Sequence, residues 1–183
     1  MKKLLFVAML MSCGSAMFAQ TYMTRTGKIG FNATSPKSPE KIEAVNNEVA
    51  SILNSKTGDF VFQLPIKSFK FERELMQQHF NENYMESYKF PKSEFKGKIN
   101  NMSDVNLSKD GTYNVTVSGK LTIHGVTKDV SVPGTVTVKG KEATTKAKFA
   151  VKLADYKIEI PGVVADKLNK EASLTIDAVL TQK

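Results

Sequence analysis

From Tyr113 almost to the C-terminus the chain alternates apolar and polar residues, and that rhythm calls for a sheet. Tyr113, Val115, Val117, Leu121 and Ile123 hold one parity. Ala147, Phe149, Val151 and Leu153 alternate with Lys146, Lys148 and Lys152. Ala172, Leu174, Ile176, Ala178 and Leu180 alternate with Ser173, Thr175 and Asp177. Val136 and Val138 lead to a turn at Gly140. Successive side chains of a strand point to opposite faces, so each run predicts a strand with one dry and one wet face. Such strands need a second sheet or closure on themselves to bury the dry face.

The first half of the chain adds more of the same. Lys28 to Phe31 is a short strand with Ile29 and Phe31 on one face, and Phe60, Phe62, Leu64 and Ile66 alternate with Val61, Gln63 and Pro65. Pro65 cannot donate to a ladder, which places it at an edge or a bulge. A further strand runs from Glu94 to Asn100 with Phe95 and Ile99 facing one way. The total is about eight strands, the number at which a closed barrel can hold a small ligand. The pattern alone allows a sandwich or a barrel.

Two stretches break the rhythm. Ile42, Val45, Val49 and Ile52 are spaced as on a helix face, although the Ser55-Lys56-Thr57-Gly58 turn that follows also fits a strand ending at Leu53. In residues 71–84, Phe71 and Leu75 are four apart, as are Met76, Phe80 and Tyr84, which predicts a short amphipathic helix.

The run Ser118 to Pro133, SGKLTIHGVTKDVSVP, reads as a hairpin. Leu121 and Ile123 face one side, and Thr122 and His124 the other. Gly125 breaks the strand, Thr127-Lys128-Asp129 reads as the turn, and Val130 and Val132 restart the alternation until Pro133-Gly134 stops it. This hairpin resembles the signature hairpin of the YceI-like family. The segment from Met76 to Phe80, continuing to Lys89-Phe90-Pro91, is similar to that family's helix leading into a strand. The likeness covers most of residues 20–183 and is weaker over 32–54. It implies an antiparallel, lipocalin-like β-barrel of about eight strands with a short helix. Some members of that family bind polyisoprenoid chains inside the barrel.

The N-terminus reads as a targeting segment. Met1-Lys2-Lys3 is basic, Leu4 to Leu10 is apolar, and Ser15 to Ala19 is rich in small residues. Removal of residues 1–19 would leave the barrel domain as 20–183 and lower the formal charge from +8 to +6. The alternative is lipoprotein processing at Cys13, which would anchor the protein to a membrane. With cleavage after Ala19 no cysteine remains. The expectation is an exported protein, periplasmic or secreted.

Catalytic chemistry is scarce in the sequence. The two histidines, His79 and His124, are far apart, and no H-E-x-x-H, G-x-S-x-G, P-loop or dinucleotide-binding turn is present. The expectation is no enzyme, no metal site and no cofactor. His124 reads as a hairpin-end imidazole that caps backbone groups, and His79 as a residue on the polar side of its helix. The Lys146, Lys148 and Lys152 row has no stacking aromatics between its members, which argues against nucleic acid. It fits a solvated outer face, with weak attraction to an anionic membrane surface as a second role.

The eleven phenylalanines carry the functional expectation. In an open barrel the residues facing inward would line a pocket for a hydrophobic chain such as a polyisoprenoid, a quinone tail or a fatty acyl group. Those residues are Phe31, Phe62, Phe95, Val117 and Ile123, followed by Phe149, Val151, Leu174 and Ile176. The rival expectation is a structural β domain whose core is filled.

Overall fold

The structure, a computed structural model, describes residues 20–183. Residues 1–19, which the sequence reads as a targeting segment and which include Cys13, lie outside the described residues. Strands β1 (Thr21–Thr34), β2 (Glu43–Asn54) and β3 (Asp59–Pro65) are followed by the two-residue β4 (Lys70–Phe71) and helix α1 (Glu74–His79). Then come β5 (Lys92–Ile99), β6 (Gly111–Ile123), β7 (Val126–Lys139), β8 (Glu142–Lys152) and β9 (Leu168–Gln182).

Eight of these strands form one ring. Leaving out β4, each is antiparallel to the next in sequence, and β9 returns to pair with β1 through Ile29↔Ile176 and Phe31↔Leu174. An even number of strands lets an up-and-down meander close with every pairing antiparallel, so the ring has no end strand. The short β4 pairs only with the start of β2, through Ala44↔Phe71 and Val45↔Lys70. The result is the closed lipocalin-like barrel that the alternation and the family resemblance anticipate. The dry faces, including Val49, Leu53, Ile99, Val136 and Leu180, point inward and are buried.

One seam of the ring is incomplete. β7 pairs with β6 along its whole length, from Val126↔Ile123 to Val138↔Gly111. It pairs with β8 only from Gly134↔Ala147 to Lys139↔Glu142. Residues 126–133 therefore form a free edge on the β8 side.

Of the two readings that residues 42–53 allow, the strand is the one found: β2 carries Ala44, Asn46, Val49, Ser51 and Leu53 inward, while Ile52 is 45% exposed. Other local expectations are corrected. The hairpin turn is His124-Gly125, not Thr127-Lys128-Asp129. Ile123 pairs directly with Val126, and φ is 50° at His124 and 72° at Gly125. Two positive φ values in a two-residue loop are what the right-handed twist of a hairpin favours. Thr127 to Asp129 are the exposed start of β7. Pro133-Gly134 does not end that strand either. Pro133 lies on the free edge, where its missing N–H leaves no ladder acceptor unsatisfied.

The predicted helix is shorter than the spacing suggests. α1 spans Glu74–His79 and widens into one π-helical turn, Phe80–Tyr84, while Phe71 belongs to β4. Phe80 points down into the barrel mouth, and Leu75 is 62% exposed. Pro65 closes β3 beyond its β2 pairing, opposite Lys92, and its carbonyl accepts a hydrogen bond from Asn46 Nδ2 at 2.8 Å.

Candidate ligand cavity

The barrel interior is not filled. An inner chamber of about 140 Å³ runs among the inward faces of the strands. On the same measure a single water needs roughly 10–15 Å³. Phe31, Phe62, Phe95, Val117 and Ile123 line it, as do Phe149, Val151, Leu174 and Ile176. These nine come from six strands, and the closure of the ring brings their apolar parities onto one wall. Phe60 and Phe95 meet there at 6.4 Å between ring centres. Polar groups at the wall are few, and Thr145 donates its hydroxyl to the Ala178 carbonyl at 3.3 Å. The chamber therefore offers volume and dispersion contact with little directional hydrogen bonding.

A second chamber of about 420 Å³ lies outside the first at the barrel mouth. Phe31, Phe80, Met85, Leu153 and Ile158 border both chambers and form a septum between them. Its centre is an aromatic cluster. Phe80 stands 5.5 Å from Phe31, 5.3 Å from Phe69 and 5.0 Å from Phe71, ring centre to ring centre. Edge-to-face and tilted contacts of this kind add to simple area burial. The outer chamber has a mixed rim. Leu75, Met76 and Val164 contribute apolar surface, while Glu40, Arg73, His79 and Lys167 contribute polar groups. Arg73 is paired with Glu40 at 2.5 Å.

Sequence reading missed Phe80, Met85, Tyr156 and Ile158 as lining residues. Phe80 carried a signal, since its spacing from Met76 and Tyr84 marked one face of the helix. Tyr156 and Ile158 are two apart in a region without long alternation, and only the turn at 153–158 folds them over the opening.

His124 does more than cap backbone groups. Nδ1 lies 3.1 Å from the Tyr156 carbonyl oxygen, as a backbone cap would, but Nε2 lies 2.8 Å from Glu86 Oε2. The side chain is only 9% exposed, and Phe90 packs edge-on against it at 4.6 Å. That hydrogen bond, with the charges of Lys89 and His124 behind it, holds the Glu86 carboxyl below its ordinary range. Burial pushes the Tyr156 phenol up, helped by the nearby Asp155 charge. His79 stays exposed on α1. Among the described residues no group of three or more His, Cys, Asp and Glu is placed to hold a metal ion.

The fold has known counterparts. A polyisoprenoid-binding domain from Saccharophagus degradans superposes with a TM-score of 0.78 at 11% identity, covering 90% of this chain and 99% of that one. BcnA of Burkholderia cenocepacia gives 0.68 at 16% identity over 85% and 96% of the two chains. A YceI protein of Campylobacter jejuni gives 0.58 at 15% identity over 75% and 83%. No curated protein matches the sequence. The family model for the YceI-like domain matches residues 18–180, nearly the whole chain, and the protein belongs to that family.

Proposed function

We propose that this protein sequesters or carries a hydrophobic chain inside its barrel and performs no catalysis. The observation that carries this reading is the apolar inner chamber, open within a closed barrel and poor in polar groups. Burial of a methylene contributes ~0.8 kcal/mol, so a tail of modest length gains useful affinity before ordering costs. A polyisoprenoid, a quinone tail and a fatty acyl chain all ask for this kind of wall. The ligand name attached to the Saccharophagus degradans domain supports the first of them. The nine inward residues from Phe31 to Ile176 are the proposed contacts, and the filled-core alternative loses support from the open chamber.

The setting we propose is outside the cytoplasm, with the protein released by cleavage after Ala19 as residues 20–183. Support comes from the basic, apolar and small-residue order of the N-terminus. No helix among the described residues is long and apolar enough to cross a membrane. A soluble carrier would meet lipid at a membrane surface, and the lysine-rich outer strands favour weak contact there.

Native mass spectrometry of protein purified from its own host, followed by lipid extraction, tests the carrier reading. A co-purifying lipid that tracks the folded barrel is the expected result, and a barrel that is consistently empty and takes up no added lipid counts against it. The same spectra give the N-terminus: a mass starting at Gln20 is expected, and a diacylated species starting at Cys13 would overturn the release proposal.

A further inference from the structure

Three residues other than glycine have positive φ among those described: Glu86 at 41°, His124 at 50° and Lys157 at 56°. Side-chain-bearing residues seldom adopt this region. These three lie on separate segments, yet they converge on one imidazole. His124 bridges the Glu86 carboxylate and the carbonyl of Tyr156, the neighbour of Lys157.

Both partners of the ring are acceptors. A carboxylate oxygen and a carbonyl oxygen have no proton to give. Only the doubly protonated imidazole can donate to both, and a neutral ring must turn a lone pair toward one of them. Glu86 is the one charged group, among the described residues, that hydrogen-bonds to the ring. Lys89 Nζ stands 3.8 Å from Glu86 on its far oxygen, and the Tyr88 phenol donates to that oxygen at 3.4 Å. On the opposite segment Asp155 and Lys157 flank Tyr156, and Phe90 closes the remaining side with an uncharged ring edge.

The segments joined at His124 are those that carry the septum. Met85 adjoins Glu86, and Leu153 and Ile158 stand on either side of Tyr156. The sheet gives this corner little help. The β7–β8 ladder starts only at Gly134↔Ala147, so the hairpin tip is not laced to the end of β8 that leads into the 153–158 turn.

We propose that His124 is a protonation-controlled latch on the passage between the two chambers. In the imidazolium form it holds residues 80–91 and the 153–158 turn together and the septum shut. In the neutral form one contact is lost and the two segments part for a tail to enter or leave. The ligand traffic rests on the carrier reading, whereas the opening of the latch is a property of the protein alone.

Two readouts separate these. Release of retinol, a neutral fluorescent isoprenoid alcohol, is followed by stopped flow from about pH 5.5 to about pH 8.5, a span that brackets the ordinary titration of histidine. Loss of one hydrogen bond predicts release about five-fold faster at the alkaline end. His124→Gln should be fast and flat across the range, and His79→Gln should keep the parent slope. In parallel, amide hydrogen exchange of the lipid-free protein, corrected for intrinsic pH dependence, is read at Met85, Glu86 and Tyr156 to Ile158 against amides of the β8–β9 ladder. Those amides should lose protection selectively as pH rises. Glu86→Gln, which keeps an acceptor oxygen but removes its charge, should move the transition to lower pH, and it serves where His124→Gln fails to fold. A flat profile of protection in the parent protein, or a slope retained in His124→Gln, overturns the latch. Selective opening in a protein that never takes up retinol upholds the latch and sinks the carrier reading instead.

Discussion

Gly97 and Gly119 face each other across β5 and β6, and the tip of the Phe95 ring lies over both. A β-carbon at 119 would meet the backbone of Lys96 and Gly97, and one at 97 would meet the Ser118 carbonyl. Backbone on both sides cannot step aside, so the pair gives room for an aromatic wall on the chamber. Gly119→Ala should destabilise the barrel by about 1–3 kcal/mol and tilt Phe95 away from its seat. Urea denaturation measures the first effect, and a midpoint equal to that of the parent would show that the close approach is not rigid.

Val151 faces the inner chamber from β8. Val151→Trp should fill space already open, so bound lipid is lost while the melting temperature stays near that of the parent. In a closed core the same change would be overpacking, at a cost of ~1–3 kcal/mol. Lipid extraction and thermal melting on one sample distinguish the outcomes. A lowered melting point with lipid retained would contradict the placement of Val151 on the ligand wall.

Strands β6, β8 and β9 were legible because their inward positions are apolar over many residues, and register follows from that. β2 was not. Two of its inward positions are Asn46 and Ser51, and the inward parity changes between Asn46 and Val49, beside the irregular register of β1 around Gly27. Val45, Val49 and Ile52, drawn from both faces of the strand, imitate helical spacing by accident of that irregularity. The hairpin turn was misplaced for a different reason. Thr127-Lys128-Asp129 is polar because both its flanks are wet, while the true turn depends on the backbone of His124 and Gly125. The chamber wall followed from strand parity, but its lid did not. Phe80, Met85 and Tyr156 reach it from a π-helical turn and a short connection that carry no long period.

Glu86 gives the fold a dependence on acid. Its carboxyl is held below the ordinary value of 4.5, first by the hydrogen bond to His124. A depressed pKa means that the folded state favours the anion. That contribution is full above the unfolded-state pKa and disappears as pH falls through the folded-state value. Stability should therefore drop on acidification below about pH 4.3, and Glu86→Gln should shrink the drop while lowering stability at neutral pH. Denaturation midpoints of both proteins, measured at neutral and acid pH, test the sign. An equally steep acid limb in Glu86→Gln would assign the loss to other carboxylates.

Phe80 is the residue on which the two chambers divide. It is buried, it borders both spaces, and it contacts Phe31, Phe69 and Phe71 within one aromatic cluster. Phe→Ala in a packed core costs ~3–5 kcal/mol through lost transfer energy and the cavity left behind. At this site the removed ring would join two existing spaces, so solvent or lipid can occupy the gap and the cost should fall at the low end of that range. The functional effect should be larger than the stability effect: Phe80→Ala should release retinol faster at every pH and admit a longer tail than the parent accepts. Phe80→Leu keeps most of the volume and should restore slow release. The comparison is made with retinol and with a prenyl alcohol several units longer, each scored for affinity and release rate. Equal release from Phe80→Ala and the parent would mean that the tail does not pass the septum, and the route into the inner chamber would then have to be the unpaired seam between β7 and β8.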